Sequence, residues 1–370
     1  MLRSGIDSAG DFIRNGGLVV FPTETVYGLG ADAFNPDAVA KIYAAKGRPG
    51  DNPLILHIAN AGDFSRLAHE PPDYAFALIE NFWPGPLTLV VRKNPTLPAW
   101  LGGHPSGTTE TVGIRMPAHP VARALIEASG CAIAAPSANK AGKPSPTSLA
   151  HVLEDYNEAE RNGIFFLDDS ERNDEFIGLE STVIDATGDK PVILRHGGIT
   201  AEEILSVTNR LPTETANASR CAIATVSEAN ASRCATEFEP ARKSPENPRS
   251  PGMKYKHYAP RAEMTILSGR PEKIAEYISN VGAGKIGALV SAETATHLPC
   301  PAPPNLKILP LGDDASGDKK IIARNLFANL RKFDSLGVDI IFAEAVCESG
   351  IGAAITDRMR KAAEGRAVSV

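Results

Sequence analysis

The sequence predicts an α/β protein in two parts, a mixed sheet with helices over residues 1–210 and a small parallel α/β domain over 261–370. Three features point to it. Apolar runs of strand length alternate with amphipathic stretches of helix length in both parts. Residues 212–250 break that rhythm: they are rich in Ala, Ser, Thr, Glu and Pro and poor in large apolar side chains, as a flexible linker is. The length of 370 residues also suits two domains.

In chain order, residues 8–15 read as a helix stopped by Asn15-Gly16-Gly17, and 18–21 as a short buried strand. A polar cluster, Pro22 to Gly30, follows directly, where open α/β sheets place ligands at the carboxyl ends of strands. Asn35 and Pro36 open a helix as N-cap and first residue, and Gly47 suits its C-terminal cap. That puts Lys46 in the last turn and Arg48 just beyond it. The eight residues KGRPGDNP (46–53) combine two cations with two glycines and lead into a strand at 54–58 that contains His57. Glycine allows close backbone approach and the cations suit an anion, although an ordinary solvated turn has the same composition.

A helix at 73–82, a strand at 87–91, a loop at 94–110 and a strand at 111–116 come next. Arg115 interrupts the apolar pattern of that last strand, and a charge so placed calls for an anionic partner. A helix over 120–129 precedes a strand of small residues at 131–135, which runs into Pro136-Ser137-Ala138-Asn139. Strands at 164–168, 182–185 and 191–195 and a helix at 200–209 complete the first part, the last strand ending in Arg195. The linker repeats the heptamer ANASRCA at 216–222 and 229–235, then changes at 250–260 to SPGMKYKHYAP, dense in cations and aromatics. Strands at 263–267, 285–290, 306–310 and 338–343 alternate with helices at 271–279, around 322–333 and over 350–363, as in a doubly wound domain.

The formal charge of −6 argues against bulk nucleic-acid binding as the main role. Five widely spaced cysteines, none in a CxxC pair, suggest reduced thiols rather than a disulfide framework or a zinc site. The sequence shows neither a secretory signal nor an apolar run of membrane-spanning length, so a cytoplasmic protein is expected. It also lacks Walker A, GxSxG and HExxH patterns. What recurs is four cations, Lys46, Arg48, Arg115 and Arg195, at loop or strand ends, among hydroxyls and amides. Separate cations without an evident nucleophile suit phosphoryl or nucleotidyl transfer, where catalysis is mostly positioning and charge stabilisation.

The motifs FPTETVYGLGADA, AKGRPGDNPL, WPGPLT, GIRMPAHP, APSANKAGKPSPT, GLESTVID and SPGMKYKHYAP closely resemble the YrdC-like threonylcarbamoyl-AMP synthases in their long two-domain form. ARNLFANLRKFDSLGVD and GIGAAITDRMRKAA resemble that form's extra domain. The resemblance implies a YrdC-like twisted mixed sheet, a closing motif in the 211–260 linker and a Rossmann-like C-terminal domain. It implies synthesis of threonylcarbamoyl-AMP from L-threonine, bicarbonate and ATP with release of pyrophosphate, with Mg2+ accompanying ATP and no dedicated metal site. A downstream tRNA threonylcarbamoyl transferase would use the product.

By position, the family's Lys-x-Arg motif falls on Lys46 and Arg48, the catalytic pair, and its Ser-x-Asn motif on Ser137 and Asn139. Threonine would meet Thr25, His57, Arg115, Ala135 and Ser181. ATP would meet Arg48, Asn52, Thr111, Ser137, Asn139, Ser145 and Arg195, with Tyr255, Lys256, His257 and Tyr258 folding back from the linker. The alternative is an RNA-binding module with a concave basic surface. That module predicts a salt-dependent RNA contact indifferent to threonine.

Overall fold

The computed structural model describes residues 2–168, 176–208, 258–282, 284–312 and 318–370. They form two compact units, the first ending at Thr208 and the second beginning at Tyr258. The first unit opens with α1 (Leu2–Arg14), β1 (Leu18–Phe21), β2 (Gly28–Asp32), α2 (Pro36–Lys46), β3 (Ile55–His57), α3 (Phe64–Leu67) and α4 (Asp73–Phe82). It continues through β4 (Leu87–Arg92), β5 (Thr111–Arg115), α5 (Pro120–Ser129), β6 (Ile133–Ala135), α6 (Leu149–Asp155) and α7 (Glu158–Arg161). It closes with β7 (Ile164–Phe166), β8 (Thr182–Asp185), β9 (Val192–Arg195) and α8 (Ala201–Thr208).

The nine strands make one mixed sheet in the order β7-β1-β2-β6-β3-β5-β4-β8-β9. Residues opposite one another in register share a face. One face holds Leu18, Val20, Leu29, Ala31, Ala134, Leu56, Ile114, Leu89 and Ile184, all buried in the larger core with residues of α2 and α4. The other face changes character partway across. Val19, Phe21, Ile133 and Ala135 lie in a second core beneath α1 and α5. From β3 onward the same face carries His57 opposite Ile133, then Arg115 opposite His57, then Thr88 opposite Arg115. The three polar residues are buried, and they form the floor of the candidate site.

Local signals set the loops around that floor. The Asn35 side chain accepts from the Ala38 N–H at 3.1 Å, and Pro36 takes the first helical position of α2. Gly47 ends the helix at φ 60°, a left-handed conformation that a side chain would strain, and Arg48 follows immediately. Gly197 permits a second tight feature: a Cβ there would lie 2.2 Å from the Thr182 nitrogen and 2.5 Å from the Glu180 oxygen. The chain leaving β9 therefore runs directly against the segment entering β8.

The second unit contains β10 (Glu263–Ser268), α9 (Pro271–Ser279), β11 (Ile286–Val290), α10 (Ala292–Thr296), β12 (Leu306–Pro310), α11 (Lys319–Leu336), β13 (Ile340–Glu344), α12 (Gly352–Ala362) and β14 (Ala367–Ser369). Its sheet is parallel throughout, in the order β12-β11-β13-β10-β14. Helices thus alternate with parallel strands, as expected for a doubly wound domain.

Several elements differ from the sequence reading. β2 was not expected, because its GLGAD sequence is poor in strand-forming side chains, yet it pairs on both edges. α6 and α7 follow the proline-containing segment GKPSPTS at 142–148 and are too short to show a helical period. β14 is three residues long and is defined only by its pairing with β10.

Candidate active site

Lys46 is buried, and its Nζ donates to the carbonyl oxygens of Ser137 and Asn139. The Ala141 N–H returns a bond to the Lys46 carbonyl at 3.0 Å. The Lys-x-Arg and Ser-x-Asn stretches are therefore one assembly. It is held against the first loop by the Ala138 N–H donating to Tyr27 O at 2.7 Å and the Leu29 N–H donating to Pro136 O at 3.0 Å. Arg48 folds back on its own loop, donating to Asn52 O at 3.1 Å and Pro53 O at 2.7 Å. The Tyr43 hydroxyl also donates to Asn52 O at 3.1 Å, and burial, partly offset by Arg48, pushes this phenol up to about 12. The side-chain oxygens of Asn52 and Asn139 are buried acceptors with no hydrogen-bond partner among the described residues. Together these groups form a polar, cationic cradle.

The second cluster centres on Arg115. Its Nε donates to Gly85 O at 3.2 Å, Nη1 to Thr25 Oγ1 at 3.1 Å and Nη2 to Glu24 Oε1 at 2.5 Å. The Thr23 hydroxyl spends its proton on Val26 O at 2.7 Å, so the Thr25 hydroxyl, 2.8 Å away, donates to Thr23 and accepts from Arg115. A guanidinium has five N–H groups, so one on each terminal nitrogen of Arg115 stays uncommitted. His57 lies beside it. Burial first, and Arg115 second, lower its pKa to about 3, so the imidazole is neutral at physiological pH. The ring packs edge-on to Phe21.

A third set lies at the mouth of β8. Ser181 Oγ is 2.8 Å from Thr88 Oγ1, and Arg195 donates to Ser181 Oγ and to its carbonyl, each at 3.1 Å. Ser145 Oγ donates to Glu180 Oε1. Thr111 starts β5 opposite Arg92 and points to the same face as Arg115, at the other end of the strand. Ala135 closes β6 opposite Ile55.

The structure thus brings Lys46 together with Ser137 and Asn139, Arg48 with Asn52, Thr25 with Arg115, and Ser181 with Arg195. His57, Ala135 and Thr111 share the sheet face with Arg115. Tyr255, Lys256 and His257 lie outside the described residues. The Tyr258 ring is buried, stacked on Phe327 at 5.2 Å with Arg358 5.3 Å from its centroid.

Sequence reasoning missed Glu24, Thr88, Glu180 and Tyr43. The signal for Glu24 was present, since a buried Arg115 calls for an anion. Only the pairing was absent, because the two residues are 91 positions apart.

Two family models match. One, the Sua5–YciO–YrdC model described as telomere recombination, covers residues 11–197. The other, described as the threonylcarbamoyl-AMP synthase C-terminal domain, covers residues 199–364. A protein of Pyrococcus abyssi named threonylcarbamoyl-AMP synthase is 42% identical over 98% of this chain and 95% of its own. The chain belongs to the threonylcarbamoyl-AMP synthase family. A Bacillus subtilis relative of the same name is 41% identical over 98% of this chain and 94% of its own. The crystal structure of P. abyssi Sua5 complexed with L-threonine matches with a TM-score of 0.79 and 42% identity, covering 99% of this chain and 96% of that one. The long form of the family accounts for both units, and the mixed and parallel sheets are its two domains.

Proposed function

We propose that this chain makes threonylcarbamoyl-AMP from L-threonine, bicarbonate and ATP. The carrying observation is the pairing of two unlike binding features in one unit. Arg115 keeps an N–H on each terminal nitrogen, a fork suited to a carboxylate. The Lys46–Asn139 assembly with Arg48 is a cradle suited to phosphates. Its relatives are named as synthases, which favours catalysis over an RNA-binding module.

In this reading Arg115 holds the threonine carboxylate, while Thr25, neutral His57, Ala135 and Ser181 surround the rest of the amino acid. The substrate's ammonium first gives up a proton, and the resulting amine adds to bicarbonate carbon with loss of water, which leaves a carbamate. A carbamate oxygen then attacks the α-phosphorus of ATP. The bond from that phosphorus to the bridging oxygen breaks, and pyrophosphate leaves. Lys46, Arg48 and Arg195 offset the charge that develops on the phosphates, with Asn52, Thr111, Ser137, Asn139 and Ser145 as polar contacts.

Magnesium fits as an ion carried by the nucleotide. Glu24 Oε1 and Glu180 Oε1 are already bonded to Arg115 and Ser145, and no group of three or more potential metal ligands occurs among the described residues. The ion's ligands would then be phosphate oxygens and water, and it would neutralise phosphate charge.

No helix among the described residues is long and apolar enough to cross a membrane. A cytoplasmic location and a tRNA threonylcarbamoyl transferase as consumer of the product complete the proposal. The test is to supply ATP, magnesium, bicarbonate and threonine and follow pyrophosphate and AMP-linked product. Product should require both threonine and bicarbonate. Pyrophosphate release indifferent to threonine would sink the reading.

A further inference from the structure

Glu24 is buried beside Arg115, and only half of its carboxylate is accounted for. Oε1 accepts from Arg115 Nη2 at 2.5 Å. Oε2 is buried and has no hydrogen-bond partner among the described residues. The residue is held from its main chain as well, since its carbonyl accepts from the Ile177 N–H at 2.8 Å. Arg115 also remains incompletely used, with one N–H on each terminal nitrogen uncommitted among the described residues. An unspent acceptor therefore sits next to unspent donors, deep in the polar part of the sheet face.

The charges complete the picture. Arg115 and Glu24 cancel, and His57 beside them is neutral. A ligand that brought only a carboxylate to Arg115 would leave this buried cluster with a net negative charge, which is costly away from water. A ligand with a carboxylate and a protonated amine on neighbouring atoms leaves it balanced. It also supplies an N–H for Glu24 Oε2 within the same small radius.

We infer that Glu24 determines specificity by accepting from the substrate's α-amine, so that the Glu24–Arg115 pair reads an α-amino acid as a zwitterion and discriminates against the corresponding amine-free acid. This rests on the proposed threonine site and adds a residue to it. Glu24 thereby has a role of its own, besides steadying Arg115.

The test is calorimetric binding to the full chain without ATP, using L-threonine and β-hydroxybutyrate, which is threonine without its amine. The wild type should prefer threonine by roughly tenfold or more, the effect of one charge-assisted hydrogen bond. Glu24→Gln should weaken threonine by a similar factor and leave β-hydroxybutyrate as strong or stronger, which collapses the preference. Glu24→Asp, which keeps the charge, should retain a preference for threonine. A role confined to holding Arg115 would weaken both ligands equally in Glu24→Gln, and that result overturns the inference. So does equal affinity for the two ligands in the wild type, an outcome that needs no variant to fold. Wild type that binds threonine selectively, with selectivity unchanged in Glu24→Gln, overturns this inference alone. Wild type that binds neither ligand removes the threonine site itself, and this inference with it.

Discussion

One face of the nine-stranded sheet is built in two ways. Under α1 and α5 it presents Val19, Phe21, Ile133 and Ala135, and their burial is a matter of packing. A few strands away it presents His57, Arg115 and Thr88, buried to a similar degree but satisfied by hydrogen bonds and an ion pair. The contrast shows that burial alone does not separate core from site. The separating property is the leftover bonding capacity: the apolar half has none, while the polar half keeps donors on Arg115 and an acceptor on Glu24.

The strongest way to break this contrast is Arg115→Ala. It removes the carboxylate fork and strands Glu24, so threonine-dependent pyrophosphate release should disappear and stability should fall by about 3–5 kcal/mol in denaturant unfolding. Lys46→Ala should lower kcat/KM for ATP by at least about tenfold in steady-state assays, with threonine binding in the absence of ATP changed far less. Leu125→Ala, in the apolar half on α5, sharpens the comparison from the other side. Thermal or denaturant unfolding should show a loss of about 2–5 kcal/mol, with both substrate KM values unchanged. Thr88→Val keeps shape and removes the hydroxyl that meets Ser181, so KM for threonine should rise several-fold while KM for ATP stays near wild type.

The smallest effect concerns pH. His57 titrates at about 3 in the folded chain, below its ordinary value of 6.5, so the unfolded state binds its proton first as pH falls. Its contribution is complete above about 6.5 and is lost as pH drops toward about 3. His57→Gln should therefore lose less stability than wild type between neutral pH and about pH 4, measured by denaturant midpoints at each pH.

Much of the fold was legible because its signals are local. Asn35, Pro36 and Gly47 bound α2 in the sequence just as they do in the structure, and this alone places Lys46 and Arg48. The parallel second sheet was legible from alternating strand and helix patterns. β2 was not, because its pairing with β1 and β6 is made by the backbone of a glycine-rich segment and not by a side-chain pattern. In the site, Arg115 announced itself by interrupting a strand pattern, Arg195 by closing a strand, and Lys46 and Arg48 by flanking the glycine that ends α2. Their partners did not: Glu24 for Arg115, Thr88 for Ser181 and the 137–139 carbonyls for Lys46 come from distant segments, and only the folded sheet brings them together.

Gly197 carries one more consequence. Because the chain leaving β9 touches the main chain at 180–182 with no room even for a methyl group, the spacing between Arg195 and Ser181 does not depend on how neighbouring side chains pack. It behaves as a rigid strut. Substitutions in the surrounding core can soften the domain, yet the distance between the Arg195 guanidinium and the Ser181 hydroxyl should survive them. Gly197→Ala, by contrast, would change that distance directly, in a protein whose core is otherwise intact.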